Sequence, residues 1–177
     1  MVEGGEGGGF KNPRPVSSMV LLPSVTSEFD VPVIAAGGFL DGPTMAAALA
    51  LGAEGVQLGT VMVTTIESPI HPNWKRAIFD AAETDTAFLN QHASPALRAL
   101  RTARSASLEF DHDRNAMASF GNVADLYFGG NLEAGIALGG QVAGRIDAVR
   151  PVADIIRSCA TGCEATLAEL GARYGTA

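Results

Sequence analysis

The chain has 177 residues, 47% of them apolar and 18% charged, which suits one folded domain with a buried core and argues against wholesale disorder. Twelve Lys and Arg against nineteen Asp and Glu leave a net charge of −7, so neither nucleic acid nor an anionic membrane is an expected partner, although a local phosphate site built from backbone N–H groups stays open. No apolar run reaches the roughly 18 residues of a spanning helix, and Met1-Val2-Glu3-Gly4-Gly5-Glu6 lacks the basic start and apolar stretch of a secretory signal, so a cytoplasmic chain is expected.

A short strand is expected near residues 1–4, followed by the glycine run Gly4-Gly5-Glu6-Gly7-Gly8-Gly9. Val16 to Ser27 then places Val16, Met19, Val20, Leu22 and Val25 on a rough helical face, interrupted by Pro23. Val31-Pro32-Val33-Ile34-Ala35-Ala36, apolar and closed by Gly37-Gly38, fits a strand covered on both faces, as in a parallel sheet. Asp41 suits a helix cap and Pro43 a first turn. Thr44 to Leu51 supplies the Ala-rich body, and Gly52 ends it. Gly55 to Thr60 reads as a second buried strand, which makes strand, helix, strand with short connections, a right-handed crossover.

Past residue 60 this alternation stops. Pro69, His71 and Pro72 mark a loop, and Asn73 to Ala82 looks helical. Residues 84–130 are mixed, with Arg98, Arg101 and Arg104 spaced to lie along one solvated helix side. Asn131 to Ile146 is rich in Gly and Ala. Pro151 to Tyr174 reads as an amphipathic helix carrying Val152, Ile155, Ile156, Cys159 and Leu167. Cys159 and Cys163, the only cysteines, sit at i,i+4 spacing, which suggests reduced thiols on that helix rather than a disulfide framework.

Two of the strand ends carry small residues, Ala36-Gly37-Gly38 and Leu58-Gly59-Thr60. A glycine there lets a ligand approach the backbone, and a following helix start offers free N–H groups and a positive dipole end. Two successive units of this kind are how an α/β barrel cups a phosphate, with Thr60 adding a hydroxyl donor. The alternative is that these glycines serve only tight turns and close helix packing.

The segments Val31 to Phe39, Asp41-Gly42, Ala46 to Ala53, Gly55-Val56-Gln57-Leu58-Gly59-Thr60 and Glu67 to Pro72 are together similar to the nitronate monooxygenase (2-nitropropane dioxygenase-like) family. Glu3 to Phe10 resembles that family's preceding strand-end loop, and Gly135 to Gly144 with Arg150-Pro151 its late helical region. The resemblance implies a (β/α)8 barrel with an inserted helical part, FMN as cofactor, and oxidation of alkyl nitronates by dioxygen. It implies FMN contacts from Glu3, Gly8, Gly37, Gly38, Gln57, Leu58, Gly59 and Thr60, with Glu3 standing where the family often has Gln.

Two departures qualify this. Phe10 stands where nitronate oxidisers of the family carry His, and phenylalanine can neither accept a proton nor carry charge. His71, in a loop motif, and His92 and His112, in polar stretches, are not expected to replace it, so no catalytic residue is assigned. About three strands are visible where a barrel needs eight. The fold expected is therefore α/β, a partial (β/α)8 barrel with a mainly helical C-terminal part: 1–72 as the end of an FMN-binding barrel, 73–150 as a helical insertion-like region, 151–177 as a C-terminal helix. A truncated or split enzyme is implied, self-associating or needing a separate N-terminal half. No metal is expected. An enoyl-thioester reductase using NAD(P)H and a degenerate, non-catalytic fragment remain the alternatives.

Overall fold

The short apolar segments that end in small residues pair in parallel. In this computed structural model, which describes residues 1–175, β1 (Val2–Glu3), β3 (Ile34–Ala36) and β4 (Gly55–Gln57) form a parallel sheet in the order β1-β3-β4. Residues 176–177 of the expected C-terminal part lie outside the described residues. Ala35 is in register with Val2 on one side and Val56 on the other. With Val33, that row packs against α1 (Ser18–Glu28) and α2 (Gly42–Ala50), burying Leu22, Phe39 and Ala48. The opposite face carries Glu3, Ala36 and Gln57 in one row, and Ile34 beside them is 39% exposed. A strand expected to be covered on both faces is thus fully covered on one and only in part on the other, where Ala36 is buried and Ile34 is not.

The local signals around α2 hold. The Asp41 carboxylate accepts from Thr44 N at 3.0 Å, the Thr44 hydroxyl closes a capping box, and Gly52 turns the chain at φ +92°. In α1, Pro23 removes one intrahelical donor, yet the helix runs on because Leu22 is buried in the core. α3 (Thr60–Val63) is a single turn, and α4 (Pro72–Phe79) ends sooner than its sequence suggested.

The region 84–130 departs most from expectation. β5 (Thr86–Leu89) and β6 (Ala96–Leu100) form an antiparallel hairpin, and β2 (Gly9–Lys11) joins it in the order β2-β6-β5. Arg98 therefore lies in a strand and Arg101 beyond its end. Only Arg104 is helical, in α5 (Ala103–Glu109), so the three arginines share no helix side. Ala and Leu favour helices, but Ala96, Leu97, Ala99 and Leu100 are buried in the sheet, and tertiary packing overrides propensity. Gly135 to Gly144, expected to be helical, runs largely extended. Leu138 bridges to Ala99 and Gly135 to Gly121 before a 3-10 turn at Gln141–Arg145.

α6 (Val152–Tyr174) lies along α2, as its amphipathic pattern allows. Cys159 and Cys163 are free and buried in this contact, with Cys159 Sγ 3.7 Å from Met45 Sδ. A methyl group on Gly42 would sit 2.2 Å from the Gly162 carbonyl carbon, backbone that cannot yield locally. Gly42→Ala should therefore lower stability by about 1–3 kcal/mol, read as a fall in denaturant midpoint at unchanged slope in the species whose barrel is completed.

Asp41 also pairs with Arg145. Burial pushes its carboxyl up, but hydrogen bonds from Thr44 and the Arg145 guanidinium outweigh that and hold it below its ordinary value. A depressed folded-state pKa contributes stability above the unfolded value, and that contribution is lost as pH falls through the folded one. The wild type should lose more stability than Asp41→Asn as pH falls below about 4. Parallel acid titrations of the two would contradict this.

Candidate functional site

At the carboxyl ends of the parallel strands the glycine run folds back over the sheet. Gly4 N donates to Ala36 O at 3.0 Å and Gly7 N to Gly4 O at 3.2 Å, which closes a tight loop after β1. Side chains from elsewhere hold that loop. The Glu6 carboxylate accepts from Ser18 N at 3.0 Å, and the Arg98 guanidinium donates to Gly5 O at 2.7 Å. Arg98 also donates to Thr86 Oγ1 at 2.9 Å and lies over the Phe88 ring at 5.2 Å.

Opposite the loop, Gly37 and Gly38 adopt φ of +87° and +82°, left-handed values that L side chains rarely adopt. A Cβ on Gly37 would come within 3.0 Å of Gly4 O and Gly7 N, so the two glycine turns nest against each other. The third wall is the late Gly139-Gly140 doublet. Gln141 N donates to Glu6 O at 2.9 Å, and a Cβ on Gly8 would meet the Gly139 carbonyl carbon at 2.5 Å. Gly140 N donates to Thr60 Oγ1 at 3.1 Å. Among the described residues Thr60 donates its own hydroxyl proton to no protein acceptor, which leaves it available to a ligand.

These walls enclose a cavity of about 320 Å³, in the range of small-molecule sites. Its lining brings together Glu3, Gly8, Gly37, Gly38, Gln57, Gly59 and Thr60, all of them singled out by the sequence. Leu58 is not among the lining residues; its side chain packs in the core. Phe10 also lies off the cavity, 55% exposed on β2 and stacked on Phe120 at 6.3 Å between centroids. Sequence reasoning missed Leu138, Gly139, Gly140 and Val142 as cavity residues. The Gly139-Gly140 doublet was the available signal, hidden by the helical expectation placed on it.

The dipole expectation needs correcting. Of the two helices that follow the glycine-ended strands, α2 spends its N-terminus on the chain's own Asp41 carboxylate and α3 is a single turn. What the cavity offers an anion is glycine backbone and the Thr60 hydroxyl. Gly59 is the freest approach: a Cβ there would meet nothing within 4 Å. A glycine cradle with a hydroxyl and a polar Gln57 fits a phosphate-bearing cofactor such as FMN.

The histidines stand apart from the cavity. His71 caps α4, its Nδ1 accepting from Asn73 N at 3.1 Å, and a Cβ on Gly130 would collide with its ring. His92 and His112 are exposed and meet edge to face at 5.5 Å. Among the described residues no cluster of metal-ligating side chains occurs, and no helix is long and apolar enough to cross a membrane.

Comparison with known proteins bears on the family and the fold. The family model for nitronate monooxygenase matches residues 1–162. A Rhodococcus jostii protein named (3aS,4S,5R,7aS)-5-hydroxy-7a-methyl-1-oxo-octahydro-1H-indene-4-carboxyl-CoA dehydrogenase is 43% identical over 109 residues, 62% of this chain and 30% of that protein. A probable nitronate monooxygenase of Staphylococcus saprophyticus is 38% identical over 100 residues, 56% of this chain and 26% of its own length. Among solved structures, FabK from Thermotoga maritima superposes with a TM-score of 0.90 at 36% identity, covering 97% of this chain and 56% of that one. The nitroalkane oxidase of Streptomyces ansochromogenes, at TM-score 0.75 and 24% identity, shares the fold. The chain thus spans under a third of these curated relatives and about half of these solved structures.

Proposed function

We propose, from the premise that this chain belongs to the nitronate monooxygenase family, that it is the flavin-phosphate half of an FMN-dependent oxidoreductase. The observation that carries this is the cavity at the strand ends, walled by two nested glycine turns and a third glycine doublet and edged by Thr60. FMN, when bound, supplies the two-electron redox chemistry. The chain's own residues do the holding: Gly37, Gly38 and Gly59 admit the phosphate end to the backbone, Thr60 donates its hydroxyl, and Gln57 offers an amide. The parallel sheet is then the closing part of a (β/α)8 barrel, with 73–150 as an insertion-like region and α6 packed along α2, and flavin is held in the species whose barrel is completed.

The reaction that goes with the family name is oxidation of alkyl nitronates by dioxygen. A second reading has a specific observation in its favour. Phe10, where a base would serve nitronates, instead stacks on Phe120 and presents an apolar aromatic surface. Such a surface suits an apolar acyl portion, and a relative at 43% identity is named as a carboxyl-CoA dehydrogenase. Oxidoreduction of an acyl thioester is therefore the alternative chemistry. Rapid reduction of the flavin by NAD(P)H would single out a reductase of that class.

Gly59→Val tests the cup without disturbing the fold, because the added side chain points into open space. Gly38→Val is the weaker test, since its left-handed φ strains any side chain. Gly59→Val should reduce FMN affinity by about ten-fold or more while circular dichroism and the unfolding midpoint stay put. Unchanged FMN affinity would overturn the assignment.

A further inference from the structure

Of the cavity's lining residues only Glu3 is ionisable, and its carboxylate has the wrong sign for a phosphate neighbour. Beside it, off the lining, lies Lys11, with its side chain 4% exposed. Its ammonium is 2.7 Å from Glu3 Oε2 and 3.4 Å from the carbonyl of Gly8, another cavity residue. Strand β2 achieves this against hydropathy, turning Phe10 outward and Lys11 inward. A lysine so buried is rare and needs a partner. The β2–β6 ladder would form through backbone atoms with any side chain here, so strand pairing does not explain it. Nearby charges are otherwise engaged. Ser18 holds Glu6, while Arg98 serves Gly5 and Thr86, and Glu3 pairs with no other cation among the described residues.

We infer that Lys11 is the positioning residue of the cup: it cancels the Glu3 charge and holds the Gly8 carbonyl, so that the cavity accepts a phosphate-bearing flavin. This rests on the FMN reading above. The two side chains act as a unit, and the phosphate alone should sense their balance. Riboflavin, which has the same ring and ribityl chain without phosphate, is the discriminating probe.

FMN and riboflavin are titrated by fluorescence quenching into the flavin-holding species, the chain alone or with its barrel completed. The proteins compared are wild type, Lys11→Met, Lys11→Arg and the double variant Glu3→Gln/Lys11→Met. Lys11→Met should weaken FMN about ten-fold or more and riboflavin less than about two-fold, because it leaves the Glu3 charge uncompensated. Lys11→Arg should keep most of the FMN affinity, and the double variant should return it to within about three-fold of wild type, since no lone charge remains. Equal losses for the two flavins, or a double variant no better than Lys11→Met, would overturn the inference and leave the FMN reading standing. Wild-type protein that binds neither flavin even with its barrel completed would overturn that reading and this one together. Should Lys11→Met not fold, the double variant decides: FMN affinity near wild type supports charge cancellation, and loss beyond ten-fold overturns it.

Discussion

Phe10→His is expected to raise oxidation of an alkyl nitronate by about 10²- to 10⁴-fold in flavin-loaded protein, the usual worth of a positioned acid–base group. The substitution suits the site. Phe10 lies off the cavity but borders its wall: it directly follows Gly8 and Gly9, is 55% exposed, and stacks on Phe120. An imidazole there can take a proton or carry positive charge beside an anionic substrate, neither of which a phenyl ring can do. Oxygen uptake with a primary nitronate is the measurement. If unmodified protein already matches Phe10→His, the base lies elsewhere or the natural substrate needs none, and the thioester reading gains. In that case Phe120→Ala should raise KM for an apolar acyl thioester more than it lowers kcat, because the lost contact is one of uniform binding.

What the sequence made legible was local. Asp41, Pro43, Gly52 and the apolar run before Gly37 each act within a few residues, and together they define one crossover unit whose ends the structure reproduces. The cavity was half legible for the same reason, since the strand-end glycines announce where backbone is bared. The rest depended on partners distant in sequence. Ala96 to Leu100 is a strand because β2 and β5 flank it, and Gly139-Gly140 matters only once that segment has folded onto Gly8 and Thr60. Lys11 was invisible for a further reason. Hydropathy places a lysine outside and a phenylalanine inside, and β2 does the reverse because the Glu3 carboxylate waits on the inner side. The helix-dipole expectation failed for a local reason, since the Asp41 cap already occupies the start of α2 and α3 is one turn long.

The chain by itself is expected to associate rather than run as a cooperative monomer. Among the described residues β1 and β4 are edges of the parallel sheet, with no strand paired on their outer sides, where a closed barrel would have no edge. The sheet face away from the helices carries Ile34 at 39% exposure, and Val16 just before α1 and Met19 and Val20 in its first turn are exposed to solvent, α1 packing on β1. Each large apolar side chain left wet forgoes about 1.5–3 kcal/mol against a domain stability of only about 5–15 kcal/mol. Pairing along the β1 edge with further β/α units would cover the edge and the open face at once. The same step would wall the cavity on the side of Glu3, so flavin affinity and solution behaviour should improve together when the completing half is supplied. Sedimentation with denaturant titration checks this. A monomer that unfolds in one transition, with the slope due to its full length, would show that the three strands suffice and that the argument from open edges is wrong.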